Sequence, residues 1–362
     1  MTDPLDRSDL RARVQVAVDA QIVRQRAVLG EVGPDLGILV DSVARLLTGG
    51  KRLRAAFLYW GYRATHRPDS DALVRLATAM EFFQAAALLH DDVMDGSDTR
   101  RGMPSSHRAI AGHHSDQGWS GSSDRFGEAA AILAGDLCLQ WTDEIYATSG
   151  LPAEHLARAR PTFDTMRTQL MGGQYLDLLE SARGWDGLDT AGRIASARHV
   201  IRFKSAKYTI EHPLLIGALA GGVGDSAIGP LSRYGLALGE AFQLRDDLLG
   251  VFGDPAQTGK PAGDDLREGK RTVLLALALG VADHDQRALF DKLLGQPDLD
   301  AAGVEELRGV LRSTGAVDGM EEMIHARVLE ATAALDEVAG DLDPEAAEVL
   351  RGLISSSTTR EH

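Results

Sequence analysis

Lysine is scarce in this 362-residue chain, with six lysines among 38 basic residues, the rest being arginine. Cysteine is rarer still: Cys138 stands alone, so no internal disulfide can form, which suits a reducing cytoplasm. No apolar run approaches the ~20 residues of a membrane span. The amino-terminal MTDPLDRSDLRARV lacks the basic-then-apolar order of a secretory signal. Positive charge is in deficit overall, at a formal −15, which makes nucleic acid and anionic lipid poor partners. An anionic substrate would need cations gathered locally. Alternating runs rich in Val, Ile and Thr are nearly absent, so a large β-sheet is not expected.

What the chain has is helical periodicity. In 72–89, Leu73, Leu76, Met80, Phe83, Ala87 and Leu88 recur mostly at three- and four-residue spacing. Similar patterns run through 38–47, 129–146, 194–219, 231–252, 271–280, 303–312 and 319–339. The breaks carry turn chemistry: Gly49-Gly50, Asp95-Gly96 through Pro104, the Gly/Ser-rich Gly112–Gly127, the polar Ser181–Gly187 and Gly253–Gly269. None reads as a long linker. The expectation is all-α, one large helical domain over 1–354, with a polar, disordered tail at 355–362. The stretch Gly112–Gly127 reads as an exposed loop, or as a lid.

Two aspartate pairs interrupt strongly apolar helical stretches. In the first, HDDVMD, Asp91 and Asp95 are about 40° apart on a helix surface, and Gln84 lies about 20° from Asp91 on the same stripe. The second is QLRDD, in which Gln243 and Asp246 are neighbours at i, i+3. Uncompensated carboxylates on apolar helices are costly, and facing carboxylates form a hard oxygen site suited to Mg²⁺ with substrate phosphates. Zinc fits poorly, because only His107, His113 and His114 cluster, in an expected loop without cysteines. Cations flank both pairs: Lys51, Arg52 and Arg54 after Gly49-Gly50, then Arg100-Arg101, Lys204 with Lys207, Lys260, and Lys270-Arg271. A glycine turn running into a helix can hold an anion through its N–H groups. Alternating cations and Mg²⁺-type ligands match two polyanionic head groups in one cavity.

With GGKRLR at 49–54, HDDVMD at 90–95, RRG at 100–102, GGQYLD at 172–177, FKSAK at 203–207 and QLRDDLLGVFGDPAQTGK at 243–260, the chain resembles the all-trans polyprenyl diphosphate synthases over residues 36–340. The resemblance implies a helical bundle around a central substrate cavity, a homodimer, and Mg²⁺, three ions per site. It implies coupling of isopentenyl diphosphate to an allylic diphosphate by ionisation, condensation and proton loss. Lys51, Arg54, Gln84 and Arg101 would hold the isopentenyl diphosphate, and Arg100, Lys204 and Lys260 the allylic one. Asp91, Asp95 and Asp246 would hold the metal, supported by Asp92, Asp177 and Asp247, with Ser205 and Gln243 at the reacting end.

Two departures stand out. Gly250 occupies the place where the family often carries a third aspartate, which puts the third ion in question, and Ser205 stands for the usual threonine while keeping the hydroxyl. Family members often set product length just upstream of the first aspartate motif. Here Ala86 and Ala87 form no floor, and Phe82 and Phe83 lie one turn, about 5.4 Å, further up. That spacing points to geranylgeranyl diphosphate. Two other readings stay open. A class I terpene cyclase would carry an N-D-x-x-S-x-x-x-E pattern, which the sequence lacks. A non-catalytic partner subunit would more readily have lost Lys51 or the aspartates, which are present.

Overall fold

The computed structural model describes residues 4–185, 187–253, 263–296 and 298–358. The all-α expectation holds: the sole sheet among them is the two-residue pairing of β1 (Thr99–Arg100) with β2 (Met103–Pro104). The first half of the chain carries α1 (Leu10–Val32), α2 (Gly37–Leu46), α3 (Leu53–Arg63), α4 (Asp71–Met94), α5 (Ser106–Asp116) and α6 (Ser123–Ala147). Then come α7 (Ala153–Arg183), α8 (Thr190–Val200), a π-helical stretch (Ile201–Glu211), α9 (His212–Gly221) and α10 (Asp225–Phe252). The chain continues through the short α11 (Asp264–Arg267) and then α12 (Val273–Val281), α13 (His284–Leu293), α14 (Ala301–Ser313), α15 (Ala316–Asp336) and α16 (Pro344–Thr358).

Helix α4 is the centre of the packing. Ser70 caps it, its Oγ accepting from the Leu73 N–H at 3.2 Å. Its apolar residues are buried nearly all round, as expected of a core helix rather than a surface one. By length and composition it could cross a membrane, but its most apolar window is 72% buried inside the protein. It packs chiefly on α6, while α3 packs on α9 and α10 on α15. One apolar cluster gathers α1, α3, α4, α6, α7 and α9. A second gathers α8, the end of α10, and α12 to α15.

The π-helical stretch carries FKSAK and is wedged between α7 and α10. Two glycines allow that approach. A Cβ at Gly173 would sit 2.5 Å from the Lys204 backbone nitrogen, and one at Gly239 would sit 2.6 Å from Ala206 Cα. Ordinary side chains do not tolerate such contacts, so these glycines set where Lys204 and Ser205 lie.

Three readings are corrected by the fold. Gly112–Gly127 is not one loop: α5 runs through Asp116 and α6 begins at Ser123, leaving only 117–122 between them. His107, His113 and His114 therefore sit on a helix, where His113 and His114 pack edge-on against Trp119. The tail is not disordered from Ser355, because α16 continues to Thr358, whose carbonyl accepts from Arg245 Nε at 3.1 Å. Residues 359–362 lie outside the described residues. Helix α1 escaped the periodicity reading because Val16, Val23, Val28 and Val32 are exposed and blur its apolar stripe.

Overpacking costs roughly 1–3 kcal/mol, so Gly239→Ala is expected to lower unfolding stability by about that much and to reduce turnover. Gly309→Ala, in the interior of α14 with nothing within 4 Å, is expected to raise stability by about 0.5–1 kcal/mol. Urea unfolding of both variants checks the contrast.

Candidate active site

One cavity of about 1030 Å³ opens between the two apolar clusters. Asp91 on α4 and Asp246 on α10, 155 positions apart in the chain, both line it. So do Lys51, Arg54, Gln84, Ala87, Arg100 and Arg101. Asp177, Lys204, Ser205, Gln243 and Asp247 complete the expected set on its walls. Asp95 closes α4 beside Asp91, and Asp92 lies under Arg100. Lys260 and Asp254 lie outside the described residues.

Local conformation aims these side chains. Arg101 (φ 54°) and Gly102 (φ 74°) form the turn between β1 and β2, both left-handed as a type I′ hairpin requires. The turn sends the Arg101 guanidinium to the Leu46 carbonyl at 3.1 Å and the Thr48 carbonyl at 3.4 Å, at the start of GGKRLR. That second turn is itself strained: Arg52 is left-handed at φ 54°. Its buried guanidinium is held by Glu81 Oε2 at 2.9 Å and by Gln15 Oε1 at 2.5 Å. Breaking one side of such a buried pair costs about 3–5 kcal/mol. Glu81 sits one turn before Gln84, so α4 carries both the brace and the expected ligand. Arg54 donates to Tyr208 Oη at 2.5 Å and Thr209 Oγ1 at 2.9 Å, with its guanidinium 4.1 Å from the Tyr208 ring centre.

The other end of the cavity is rich in carboxylates. Lys204 Nζ lies 3.2 Å from Asp91 Oδ1 and 2.5 Å from Asp177 Oδ2, one cation spanning two acids. Gln174 also donates to Asp91 Oδ1 at 2.8 Å. Burial opposes ionisation of Asp91, but Lys204, Lys270 and Arg100 outweigh it and hold its carboxyl below the usual range. Asp95 is pushed up to about 6 by burial and by Asp91. Ser205 Oγ donates to Gln243 Oε1 at 2.5 Å, and Gln243 Nε2 donates to Asp247 Oδ1 at 2.8 Å. Asp247 is pushed up to about 8 by burial and then by Asp265. Lys207 does not join this group; it pairs with Glu211 at 3.1 Å.

Lys270 is the principal cation at this end that motif spacing did not place. It pairs with Asp265 at 3.1 Å and Glu268 at 2.8 Å. Burial lowers its ammonium, yet these acids more than offset that and raise it well above the ordinary lysine value. The scarcity of lysine flagged it, but nothing local showed that its segment returns to α10.

The donor set suits Mg²⁺. Its oxygens are hard carboxylates, and Lys204 already holds a positive charge between Asp91 and Asp177. Among the described residues no three Asp, Glu, His or Cys side chains converge on one point. Mg²⁺ usually takes one or two protein carboxylates and leaves the rest of its shell to phosphate and water.

On α4 the residues expected to set product length divide between two stripes. Phe82 is fully buried with its ring edge-on to Trp141 of α6, and Ala86 lies one turn on along the same stripe. Phe83 is edge-on to Tyr208, which lines the cavity, and Ala87 lines the cavity directly.

The polyprenyl synthetase family model matches residues 38–311. The geranylfarnesyl diphosphate synthase of Aeropyrum pernix is 32% identical over 317 residues, covering 86% of this chain and 91% of its own length. The geranylgeranyl diphosphate synthase of Mycobacterium tuberculosis is 32% identical over 291 residues, covering 80% and 76%. Among solved structures, geranylgeranyl pyrophosphate synthase from Corynebacterium glutamicum, complexed with isoprenyl diphosphate and magnesium, superposes over both full chains with a TM-score of 0.90 at 39% identity. The chain belongs to the polyprenyl synthetase family. It is a trans-prenyltransferase.

Between the ordinary carboxylate range and about 8, Asp247 keeps its proton when folded and loses it when unfolded. The folded state then binds more protons, so stability falls as pH rises through that window. Chelator-treated wild type should lose melting temperature from pH 5 to pH 8. Asp247→Asn should flatten that slope by about 2 °C or more, and identical slopes would remove the Asp247 argument.

Proposed function

We propose that this chain extends an allylic prenyl diphosphate with isopentenyl diphosphate to geranylgeranyl diphosphate, as a cytoplasmic homodimer using three Mg²⁺ ions per site. The observation that carries the reading is the convergence of Asp91 and Asp246 on one cavity whose two ends differ in charge.

The end built from Lys51, Arg54, Arg101 and Gln84 suits a diphosphate without metal. The Arg101 guanidinium is lowered first by burial and then by the like charge of Arg52, a repulsion that a bound anion relieves. Isopentenyl diphosphate, which keeps its diphosphate throughout, belongs there. The end built from Asp91, Asp95, Asp177, Asp246 and Asp247 suits a metal-chelated diphosphate, with Arg100, Lys204 and Lys270 as its cations. Mg²⁺, when bound, supplies positive charge to the departing diphosphate. Lys204, Arg100 and Lys270 meet the remaining charge as the allylic C–O bond breaks. Leu88, Phe242 and Leu249 line the cavity with apolar surface that excludes water from the carbocation-like carbon. The Ser205–Gln243–Asp247 chain fixes the polar atoms beside it.

Chain growth along the Phe83–Ala87 stripe stops at the Phe83 ring behind Tyr208, and Phe82 takes no part in this. The proposed dimer buries apolar residues now exposed on α6 (Ile132, Leu133) and on one stripe of α7 (Met171, Tyr175, Leu178).

Incubation with Mg²⁺, isopentenyl diphosphate and dimethylallyl, geranyl or farnesyl diphosphate, followed by sizing of the dephosphorylated products, tests the whole reading. A C20 alcohol is expected from each, and diphosphate release without isopentenyl diphosphate would instead indicate a cyclase. Asp91→Ala with Asp95→Ala should abolish turnover. Phe83→Ala should lengthen the product, whereas Phe82→Ala should keep its length and lose about 3–5 kcal/mol of stability. Unchanged product from Phe83→Ala would overturn the floor assignment.

A further inference from the structure

Helix α1 lies outside residues 38–311, which the family model matches, yet one of its side chains reaches the turn that carries Lys51. Gln15 Oε1 accepts from the Arg52 guanidinium at 2.5 Å and from the Gly49 N–H at 3.4 Å. A single amide oxygen thus ties together the two residues that bracket Gly50 and Lys51. Asp19 decides which end of the amide faces the turn. Gln15 Nε2 donates to Asp19 Oδ1 at 2.8 Å, one helical turn on, so the oxygen is the end left for Gly49 and Arg52. The helix is itself well seated at this point. Val14 and Val18 are buried, and Arg13 donates to Asp69 Oδ2 at 2.8 Å and Oδ1 at 3.0 Å. The turn needs such support: Gly49, Gly50 and Arg52 all have positive φ, and an arginine persists there only where its surroundings over-determine it. Glu81 and the Leu47 carbonyl also hold Arg52, but among the described residues only Gln15 joins it to Gly49.

We propose that Gln15, oriented by Asp19, is a positioning residue for isopentenyl diphosphate: its amide oxygen locks the turn from Gly49 to Arg52 and so sets where Lys51 and Arg54 present their charges. Gln15 does not line the cavity and acts only through the turn. The assignment rests on the reading above that this end of the cavity holds isopentenyl diphosphate. Its effect is selective for that substrate. The carboxylate end is held by its own pairs, Lys204 with Asp91 and Asp177 and Lys270 with Asp265, none of them on α1.

The test is steady-state kinetics of the intact protein with Mg²⁺, varying isopentenyl diphosphate and farnesyl diphosphate in turn, with thermal melting as a check on folding. Gln15→Met keeps the volume and removes the oxygen. It should raise KM for isopentenyl diphosphate about tenfold, the worth of one hydrogen bond to a charged group. KM for farnesyl diphosphate and kcat should stay as they were, the pattern of lost uniform binding of one substrate. The swap Gln15→Glu with Asp19→Asn reverses donor and acceptor along α1 while keeping an oxygen toward the turn, and should recover most of the affinity. Val18→Ala, which loosens α1 without touching the turn, should lower the melting temperature and leave both KM values unchanged. An unchanged KM for isopentenyl diphosphate in Gln15→Met, an equal rise for both substrates, a loss that the swap leaves unrepaired, or the same rise in Val18→Ala overturns the proposal. Were the unaltered protein to show no saturable use of isopentenyl diphosphate, the reading of the site would fall and this assignment with it. Normal kinetics of the unaltered protein beside an unaffected Gln15→Met reject the assignment alone.

Discussion

Lys204 lies between Asp91 and Asp177, and the chemistry of the cavity depends on that contact. Two carboxylates facing each other in a half-buried space would each favour the protonated form. One ammonium within reach of both keeps Asp91 ionised and ready for a metal. The same logic recurs at Arg100 with Asp92 and at Lys270 with Asp265 and Glu268. A diphosphate arriving with its metal ions brings both signs of charge, so it can exchange partners with this array without leaving a buried ion uncompensated.

Such an array needs rigid supports. The π-helical stretch presents Lys204, Ser205 and Tyr208 to the cavity while Lys207 turns away to Glu211. Wide helical turns of this kind are frequent at functional sites. Gly173 and Gly239 hold it at backbone distance from α7 and α10. On the far side, the strained Arg52 and Arg101 are fixed by bonds to Glu81, Gln15 and the α2 carbonyls. Strain in two arginines is thereby spent on aiming one anion-binding corner.

Much of this was legible from residue order. The apolar period of 72–89 located α4, and its acidic end marked the site. Gly49-Gly50 and Arg101-Gly102 announced turns because left-handed backbone is cheap for glycine. Other features were hidden for physical reasons. Helix α1 shows four exposed valines, so its buried stripe does not stand out from its surface. The glycines and serines of 112–127 suggested a loop, yet Gly127 packs against α5 and Ser122 caps α6, roles that look like turn chemistry from composition alone. Ser355 to Thr358 look like a frayed polar tail, but their helix is held by Arg245 from α10.

The sequence by itself determined the helical class, the residue types of the site and the family, because periodicity and short motifs depend only on neighbours along the chain. The tertiary structure alone decided which distant groups meet: Asp91 with Lys204, Arg52 with Gln15 and Glu81, and Asp265 with the space beside Gly250. Phe82 and Phe83 are adjacent in the chain yet face Trp141 and Tyr208 respectively. Their separation follows from the 100° step of the helix together with what α6 and the π-helical stretch place on each side. Pair distances and burial arise from packing between elements, and no local pattern encodes them.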